Sequence, residues 1–161
     1  MKIIRCVDLH GQEVEVNVDS LEYRPAVYGL VVENGKLLVY RSKNSGTLML
    51  PGGQVEKGER MREALAREVR EEVGMEIERA EFFYADDDFY FNEIKNQGYQ
   101  VYCYYYFCQL KKDQAGIIIH PGAEVTDFQW VPVATLRTED FHVSGREPIR
   151  RMLEHLQHVQ T

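Results

Sequence analysis

Alternating apolar and polar residues run through most of the chain and predict a protein built mainly from β-strands. Alternating or continuous apolar runs, rich in β-branched and aromatic residues, occur at KIIRCVDL, EVEVNV, AVYGLVV, KLLVYR, AEFFYADDDFYF, YQVYCYYYFCQL and DFQWVPV. His10, Gly11 and Gln12 separate the first two runs, and Asn34-Gly35, a strong turn signal, separates the next two. Two hairpins are therefore predicted in the first quarter of the chain.

Two further segments have the periodicity of amphipathic helices. From about residue 59 to residue 73 apolar side chains recur every fourth position, and Gly74 follows where a C-cap glycine is expected. The segment REPIRRMLEHLQHV predicts a second helix near the C-terminus. The stretch LMLPGGQVEKGE contains four helix- and strand-breaking residues, so it is predicted to be a loop. These elements predict one α+β domain with helices packed on a mixed sheet.

Length and charge narrow the classes of partner. The 161 residues suit one domain with a real core, and 44% hydrophobic residues are close to the globular norm. Nineteen basic and 26 acidic residues give a net charge of −7, so the surface as a whole repels a nucleic-acid backbone. Long DNA or RNA is thus disfavoured as a partner, whereas a small anion escorted by divalent cations is not.

The N-terminus and the cysteines predict a cytoplasmic protein. The first 16 residues, MKIIRCVDLHGQEVEV, interrupt their apolar residues with charge and lack the apolar core of a signal peptide. No run approaches the roughly 18 apolar residues of a membrane span. Cys6, Cys103 and Cys108 show no CxxC spacing, so neither a disulfide framework nor a zinc site is indicated. Unpaired thiols are usual in a reducing compartment.

Three glutamates crowd one side of the first predicted helix. At 100° per residue, Glu68, Glu71 and Glu72 fall within an arc of about 100°, beside the apolar stripe rather than opposite it. They emerge at the edge of the core, where a cleft is expected, and hard oxygen donors suit Mg²⁺ or Mn²⁺. A solvated acidic face tempered by Arg67 and Arg70 is the other interpretation, and the spacing alone leaves both open.

The loop and the helix together resemble the Nudix box, Gly-x5-Glu-x7-Arg-Glu-U-x-Glu-Glu-x-Gly-U, in which U is a bulky apolar residue. The sequence GQVEKGERMREALAREVREEVGM fills every specified position, with Gly53, Glu59, Arg67, Glu68, Val69, Glu71, Glu72, Gly74 and Met75. The flanking LPGG and EVTDFQWVPVATL also look like the family, over about residues 22–157. One departure is that Leu48 and Met49 stand where many relatives have an aromatic residue before LPGG. The chain is identified by this motif as a MutT-like Nudix hydrolase.

The resemblance implies a fold, a chemistry and a set of site residues. The implied fold is the Nudix α/β/α sandwich with a mixed sheet and a loop-helix-loop motif, over residues 21–158. Residues 1–20 are then an N-terminal β-hairpin extension. The implied reaction is hydrolysis of a nucleoside diphosphate linked to another moiety. By similarity, the Gly53 carbonyl and Glu68, Glu71 and Glu72 hold the Mg²⁺ or Mn²⁺, while Glu59 and Arg67 brace the loop against the helix.

The general base and the substrate are less determined. Relatives carry an acidic residue near the position of Glu124, which takes the water proton or closes the metal site, and Glu71 is the competing candidate. Arg24 and Arg41 are candidates for phosphate contact, although exposed arginines beside strands need no ligand. Tyr90 lies one residue short of where dinucleoside-polyphosphate members carry a tyrosine. The proline of many ADP-ribose members and a coenzyme A signature are absent from the sequence.

A nucleoside triphosphate is therefore the favoured substrate. Dinucleoside polyphosphates and nucleotide sugars are the alternatives within the enzyme class. A non-catalytic Nudix domain that only binds a nucleotide is the alternative outside it, although such a module has no need of three ligating glutamates. A homodimer is left open.

Overall fold

Nine strands and two helices make up the part of the chain that the computed structural model describes, residues 1–112 and 128–159. In chain order the strands are β1 (Ile3–Val7), β2 (Glu13–Asn17), β3 (Glu22–Glu33), β4 (Lys36–Arg41), β5 (Leu48–Met49), β6 (Gly52–Gln54), β7 (Ile77–Asn92), β8 (Gln97–Leu110) and β9 (Phe128–Pro132). The helices are α1 (Met61–Val73) and α2 (Arg146–Val159).

The strands form one mixed sheet in the order β2-β1-β7-β8-β3-β4-β5, with β6 on the edge of β3 and β9 on β4. Two of the pairings between these described strands are parallel. The longer runs between β3 and β8, from Glu22 opposite Tyr99 to Val31 opposite Cys108. The shorter joins β1 to β7 at Val7 and Tyr90. The long hairpin of β7 and β8 is therefore the centre of the sheet, with β1 on one side and β3 on the other.

Alternation along β8 assigns its side chains to two separate cores. Tyr99, Val101, Cys103 and Tyr105 belong to one core, and Tyr106, Cys108 and Leu110 to the other. A strand with two buried faces carries apolar residues at consecutive positions, which accounts for the run of aromatic residues in this segment. These rings are thus packing residues on both faces of the sheet.

Helix α1 begins later than the sequence predicts, and it ends at the predicted residue. It starts at Met61 because the Glu63 carboxylate accepts a hydrogen bond from the Arg60 N–H and so caps the first turn. Gly74 ends it with a φ of 74°, in the left-handed region that glycine adopts without strain, and its N–H donates to the carbonyl of Arg70. The predicted apolar stripe is buried through Leu65 and its neighbours along the helix.

The two helices cover opposite faces of the sheet. Buried residues of α1 pack with Val27, Val31 and Leu38, whereas Ile149 and Met152 of α2 belong to the core on the other face. The result is the three-layer α/β/α sandwich with a mixed sheet that the resemblance implies, so the predicted α+β fold class is confirmed.

The stretch predicted as a loop between residues 48 and 59 contains two short strands. β5 pairs with β4, and β6 pairs with β3 so that Gly53 lies opposite Val27. Additional backbone bonds run from the Gly29 N–H to the Pro51 carbonyl and from the Val55 N–H to the Pro25 carbonyl. The prediction of an irregular loop was wrong here because pairing with β3 satisfies the backbone despite the glycines.

The predicted N-terminal hairpin is present as the antiparallel pair of β1 and β2, in register from Ile3 opposite Asn17 to Val7 opposite Glu13. It adds two strands to the edge of the sheet at β7. The division of the chain into a hairpin extension and a main domain from residue 21 stays a prediction.

Among the described residues, neither helix has the length and apolar composition that crossing a membrane requires.

Candidate active site

Arg67 joins the loop after β6 to the middle of α1. Its Nε and Nη2 donate to the two carboxylate oxygens of Glu59 at 2.9 and 3.0 Å, and Nη2 also donates to the Gln54 carbonyl at 3.0 Å. Nη1 donates to Glu68 at 2.9 Å and to Glu71 at 3.2 Å. The planar guanidinium thus fixes the loop to the helix through a bidentate pair, a geometry that a lysine cannot reproduce.

This network explains how Glu68 and Glu71 tolerate one another on one side of α1. Glu68 and Glu71 share the positive charge of Arg67, whose attraction offsets their mutual repulsion. The Arg67 guanidinium holds the pKa of Glu59 below its usual range, and the carboxylates around it raise the pKa of Arg67. The arginine of the motif is therefore permanently charged and holds its partners in place.

Glu68 is much more enclosed than Glu71. Its side chain is 15% exposed, compared with 59% for Glu71. Burial raises the pKa of Glu68, and the Arg67 hydrogen bond opposes that rise. Its carboxylate lies against Gly53, where a Cβ atom would stand only 2.7 Å from Oε1. Glycine at this position therefore lets the loop backbone approach the carboxylate.

Glu72, the last glutamate of the motif, faces the same loop. Its carboxylate accepts a hydrogen bond of 2.9 Å from the Gly52 N–H. Gly52 itself has a φ of 142°, and a Cβ atom there would lie 2.1 Å from the Val27 carbonyl oxygen. Only glycine fits between β3 and the helix carboxylate at this position.

The convergence of the three carboxylates on one point is not seen in this arrangement. Within residues 1–112 and 128–159, no three His, Cys, Asp or Glu side chains are grouped so that they could hold a metal ion. Glu68 and Glu71 turn to Arg67, and Glu72 turns to the loop amide. The metal role of these residues therefore stays a prediction from the motif.

A cleft of about 270 Å³ opens beside Gly53. The predicted substrate residues Arg24 and Tyr90 both line it. The Arg24 guanidinium lies 4.1 Å from the centre of the Tyr99 ring, a cation–π contact that holds it flat against the sheet. Burial, followed by the nearby Glu93 carboxylate, raises the pKa of Tyr90. The structure thus brings these two candidate residues to the same cleft as Gly53.

Two candidates are not brought to this cleft. Arg41, at the end of β4, donates from Nη1 to the Gly46 carbonyl at 2.6 Å and is absent from the cleft lining. It closes a turn after its own strand, and no contact with phosphate is supported by that position. Glu124, the candidate base, lies outside the described residues. Glu71 is exposed beside Arg67, and its role as a base stays a prediction.

Sequence reasoning missed several residues of the cleft. Leu9, Asp88 and His142 line it together with the expected residues. Asp88 belongs to a run of three aspartates on β7, which is a visible signal, but Leu9 and His142 carry no local pattern that indicates a site. They meet only because the sheet brings the N-terminal hairpin and the segment before α2 to the same face.

An α/β/α sandwich in which a glycine loop is fixed to a carboxylate-bearing helix, beside a cleft, defines a class of phosphoanhydride hydrolases. The sequence model of the NUDIX domain matches residues 22–152 of the chain. The chain therefore belongs to the Nudix family, and the prediction of a MutT-like Nudix hydrolase is confirmed.

Curated relatives and solved structures agree with this assignment. The chain is 28% identical over 141 residues to the nucleoside triphosphatase NudI of Escherichia coli O81 (strain ED1a), an alignment that covers 81% of this chain and 96% of that protein. The crystal structure of a MutT Nudix hydrolase from Burkholderia pseudomallei superposes with a TM-score of 0.62 at 20% identity, covering 81% of this chain and 98% of the other.

A MutT protein from Methanosarcina mazei Go1 has the same TM-score of 0.62 at 21% identity, over 85% of this chain and 96% of that one. At such identities the solved structures show a common fold and nothing finer. The fold and the hydrolase class are thereby established, and the metal and the substrate are taken up below.

Proposed function

We propose that the protein is a Mg²⁺-dependent pyrophosphohydrolase that cleaves a nucleoside triphosphate within its phosphate chain. The observation that carries this proposal is the single cleft that connects Gly53, against which Glu68 lies, with Arg24 and Tyr90. A phosphate chain needs cationic partners and a metal, and a nucleoside needs an aromatic or apolar wall. Both kinds of surface line one continuous space here.

The residues present fit a hard divalent cation. Three carboxylates on consecutive turns of α1 and a loop carbonyl are oxygen donors of the kind that Mg²⁺ and Mn²⁺ prefer. At Gly53 the absence of a side chain lets the Glu68 carboxylate lie directly against the backbone whose carbonyl is the fourth candidate ligand. We assign Glu68, Glu71 and Glu72 and the Gly53 carbonyl as the ligands. When bound, the metal neutralises phosphate oxygens and lowers the pKa of water.

The protein's own residues then position the candidate metal ligands and orient the substrate. Glu59 and Arg67 hold the loop against α1, so that the carbonyl of residue 53 and the helix carboxylates keep a fixed relation. Arg24, held flat on Tyr99, offers a charged guanidinium to the phosphate chain. The proton of the attacking water goes to a carboxylate, for which Glu71 and Glu124 are the candidates. Preorganised charge of this kind supplies much of the rate enhancement in such enzymes.

The size of the cleft and the activity named for the relatives support the proposed substrate class. A volume of about 270 Å³ is just below the roughly 300–1,000 Å³ of small-molecule sites, which favours one nucleoside over two. The NudI relative is named a nucleoside triphosphatase. Tyr90 at the cleft keeps dinucleoside polyphosphates as the second candidate, because a second ring could stack there. A nucleotide sugar is the remaining alternative.

We further propose a cytoplasmic location and a small-molecule partner. The three cysteines of the chain are buried and unpaired, as suits a reducing compartment. The net charge of −7 opposes binding to long nucleic acid.

A panel of nucleotides tests the function. Nucleoside triphosphates, dinucleoside polyphosphates and nucleotide sugars are incubated with Mg²⁺, and the products are resolved by phosphorus NMR in ¹⁸O-labelled water. We expect triphosphates to be cleaved fastest, label to enter one defined phosphate, and activity to disappear with a chelator. Binding without cleavage of any member of the panel would leave the non-catalytic nucleotide-binding domain as the better account.

A further inference from the structure

The turn between β1 and β2 is an ordered structure built around one aspartate. Asp8 is 3% exposed, and its Oδ1 accepts hydrogen bonds of 2.8 Å from both the His10 and the Gln12 N–H. Its own N–H donates to the Gln12 carbonyl at 2.9 Å, and Gly11, at a φ of 80°, donates to the Asp8 carbonyl at 3.1 Å. The side chain of Leu9 is presented from this rigid turn.

A distant residue ties this turn to the body of the protein. His142 is 7% exposed, and its Nε2 lies 3.0 Å from the Asp8 carbonyl oxygen, 134 residues away in sequence. Because a carbonyl oxygen only accepts, Nε2 carries the hydrogen and donates it. On the other side of the ring, Nδ1 accepts from the Ser144 N–H at 3.4 Å. Both ring nitrogens are engaged, so the imidazole connects the hairpin to the segment before α2.

The order of the strands locates the hairpin relative to the glycine loop. Gly53 is on β6 and Leu9 follows β1, and both line the same cleft. Between β6 and β1 the sheet runs through β3, β8 and β7. Four strand spacings of about 4.8 Å separate the two edges by roughly 19 Å. The hairpin therefore stands across the floor of the cleft from the loop that carries the motif.

The side chains that line the floor of the cleft change in chemical character from β3, through β8, to β7. Arg24 and Ala26 come from β3, Val101 and Cys103 from β8, and Asp88 and Tyr90 from β7. On β7, the strand next to the hairpin, the lining consists of the Tyr90 ring and the Asp88 carboxylate, and Leu9 adds an aliphatic side chain to the same lining. This combination suits a nucleoside, whose base has apolar faces and a polar edge, better than it suits a phosphate.

We infer that the turn Asp8–Gln12 is the nucleoside wall of the substrate cleft, with Leu9 as a specificity-determining residue and His142 as the residue that positions the turn. The inference rests on the proposed function, because it takes the cleft to bind a nucleotide. It assigns a substrate-selecting role to a segment that lies before residue 22, where the match to the family begins.

Substituting Leu9→Trp tests the wall directly. The indole projects further into the cleft, so we expect the KM for nucleoside triphosphates to rise tenfold or more, with a much smaller change in kcat. The matched control is Ile94→Trp, since Ile94 is 97% exposed in the turn after β7 and absent from the cleft lining. The control should keep the wild-type KM. An unchanged KM in Leu9→Trp would overturn the inference.

A pair of substitutions at His142 separates positioning from plain stability. His142→Gln keeps a side-chain N–H at similar reach to the Asp8 carbonyl, whereas His142→Leu removes it. We expect His142→Leu to raise KM and to speed hydrogen exchange of the His10 and Gln12 amides, and His142→Gln to restore most of both. A lower melting temperature with unchanged KM would show a structural role only. If His142→Leu does not fold, the comparison of Leu9→Trp with Ile94→Trp alone tests the inference.

Failure of the proposed function can be told apart from failure of this inference. If the wild type cleaves no nucleotide, the proposed function fails, and the Leu9 methyl resonances are followed by NMR as an α,β-methylene nucleoside triphosphate and Mg²⁺ are added. Shifts at Leu9 larger than those at Ile94 support the wall, and their absence rejects it. If the wild type is active but Leu9→Trp behaves like wild type, only the inference fails.

Discussion

Removing the guanidinium of Arg67 is the sharpest test of how the motif is held together. Arg67→Ala deletes five N–H···O contacts, made with three carboxylates and the Gln54 carbonyl. A fully buried ion pair that loses one partner costs about 3–5 kcal/mol, and an exposed one costs about 0–1 kcal/mol. Arg67 is 23% exposed and Glu59 16%, which lies nearer the buried case. We expect a loss of about 2–3 kcal/mol in the free energy of unfolding.

The expected change is large enough to measure by thermal melting. For a chain of this size about 1 kcal/mol corresponds to roughly 2–4 °C, so the melting temperature should fall by about 4–12 °C. Activity should fall with it, because the loop that carries Gly53 loses its attachment to α1. The affinity for Mg²⁺ should fall less than when a ligand is removed, since Arg67 orients the ligands and is not one of them.

Arg150→Ala is the matched control. Arg150 also contacts two carboxylates, Glu147 and Glu154, but it lies on the outer side of α2 and is 48% exposed. Its loss should lower the melting temperature much less than the loss of Arg67, because solvent screens an exposed pair, and should leave activity unchanged. A double-mutant cycle of Arg67→Ala with Glu59→Gln should show strong coupling, because each partner's loss removes the same bidentate pair. Equal melting temperatures for Arg67→Ala and Arg150→Ala would refute the bracing role.

Three further substitutions test the site and the second helix. Glu72→Gln keeps an amide oxygen for the Gly52 N–H, so the melting temperature without metal should change little, while kcat should drop about a hundredfold, or roughly 2.7 kcal/mol of barrier. Normal turnover, or equal stabilisation of variant and wild type by Mg²⁺, would show that Glu72 is not a metal ligand. Gly53→Ala pushes on the Glu68 carboxylate at 2.7 Å and should lower activity with a melting temperature close to wild type, and a fully active variant would argue against the close approach. Hydrogen bonding from Arg150 is the first cause that lowers the pKa of Glu147 to about 2, so its stabilisation is present above the ordinary carboxyl pKa and lost as the pH falls toward 2. Melting temperatures of Glu147→Gln and wild type should therefore differ at pH 6 and converge near pH 2, and a constant difference would contradict this.

Helix α1, which is rich in charged residues, shows how much the local sequence pattern could predict about the site. Spacing alone left two interpretations of the glutamates, a metal site or a solvated acidic face tempered by arginine. In the described arrangement Arg67 does neutralise Glu68 and Glu71, and it also holds Glu59 and the Gln54 carbonyl, so it is more than a counter-charge on a solvated face. The motif therefore depends on its arginine for stability as well as on its glutamates for chemistry.

Much of this protein was determined by its sequence read alone. The four-residue recurrence of apolar side chains fixes the buried face of α1, and Gly74 ends it because glycine takes the left-handed conformation without strain. Asn34-Gly35 gives the turn between β3 and β4, with positive φ at both residues. The identities from Gly53 to Met75 give the family. These features depend on neighbours within a few residues, which a linear pattern records.

The tertiary structure alone decided which distant residues share the cleft. Arg24 and Tyr90 meet because β3 and β7 flank β8, whereas Arg41, equally plausible in sequence, turns to the carbonyl of its own turn. Leu9 and His142 carry no signal, since their meeting depends on the parallel pairing of β1 with β7 and on one hydrogen bond across 134 residues. Contacts of this kind follow from strand order, and strand order is set by long-range packing that no local window contains.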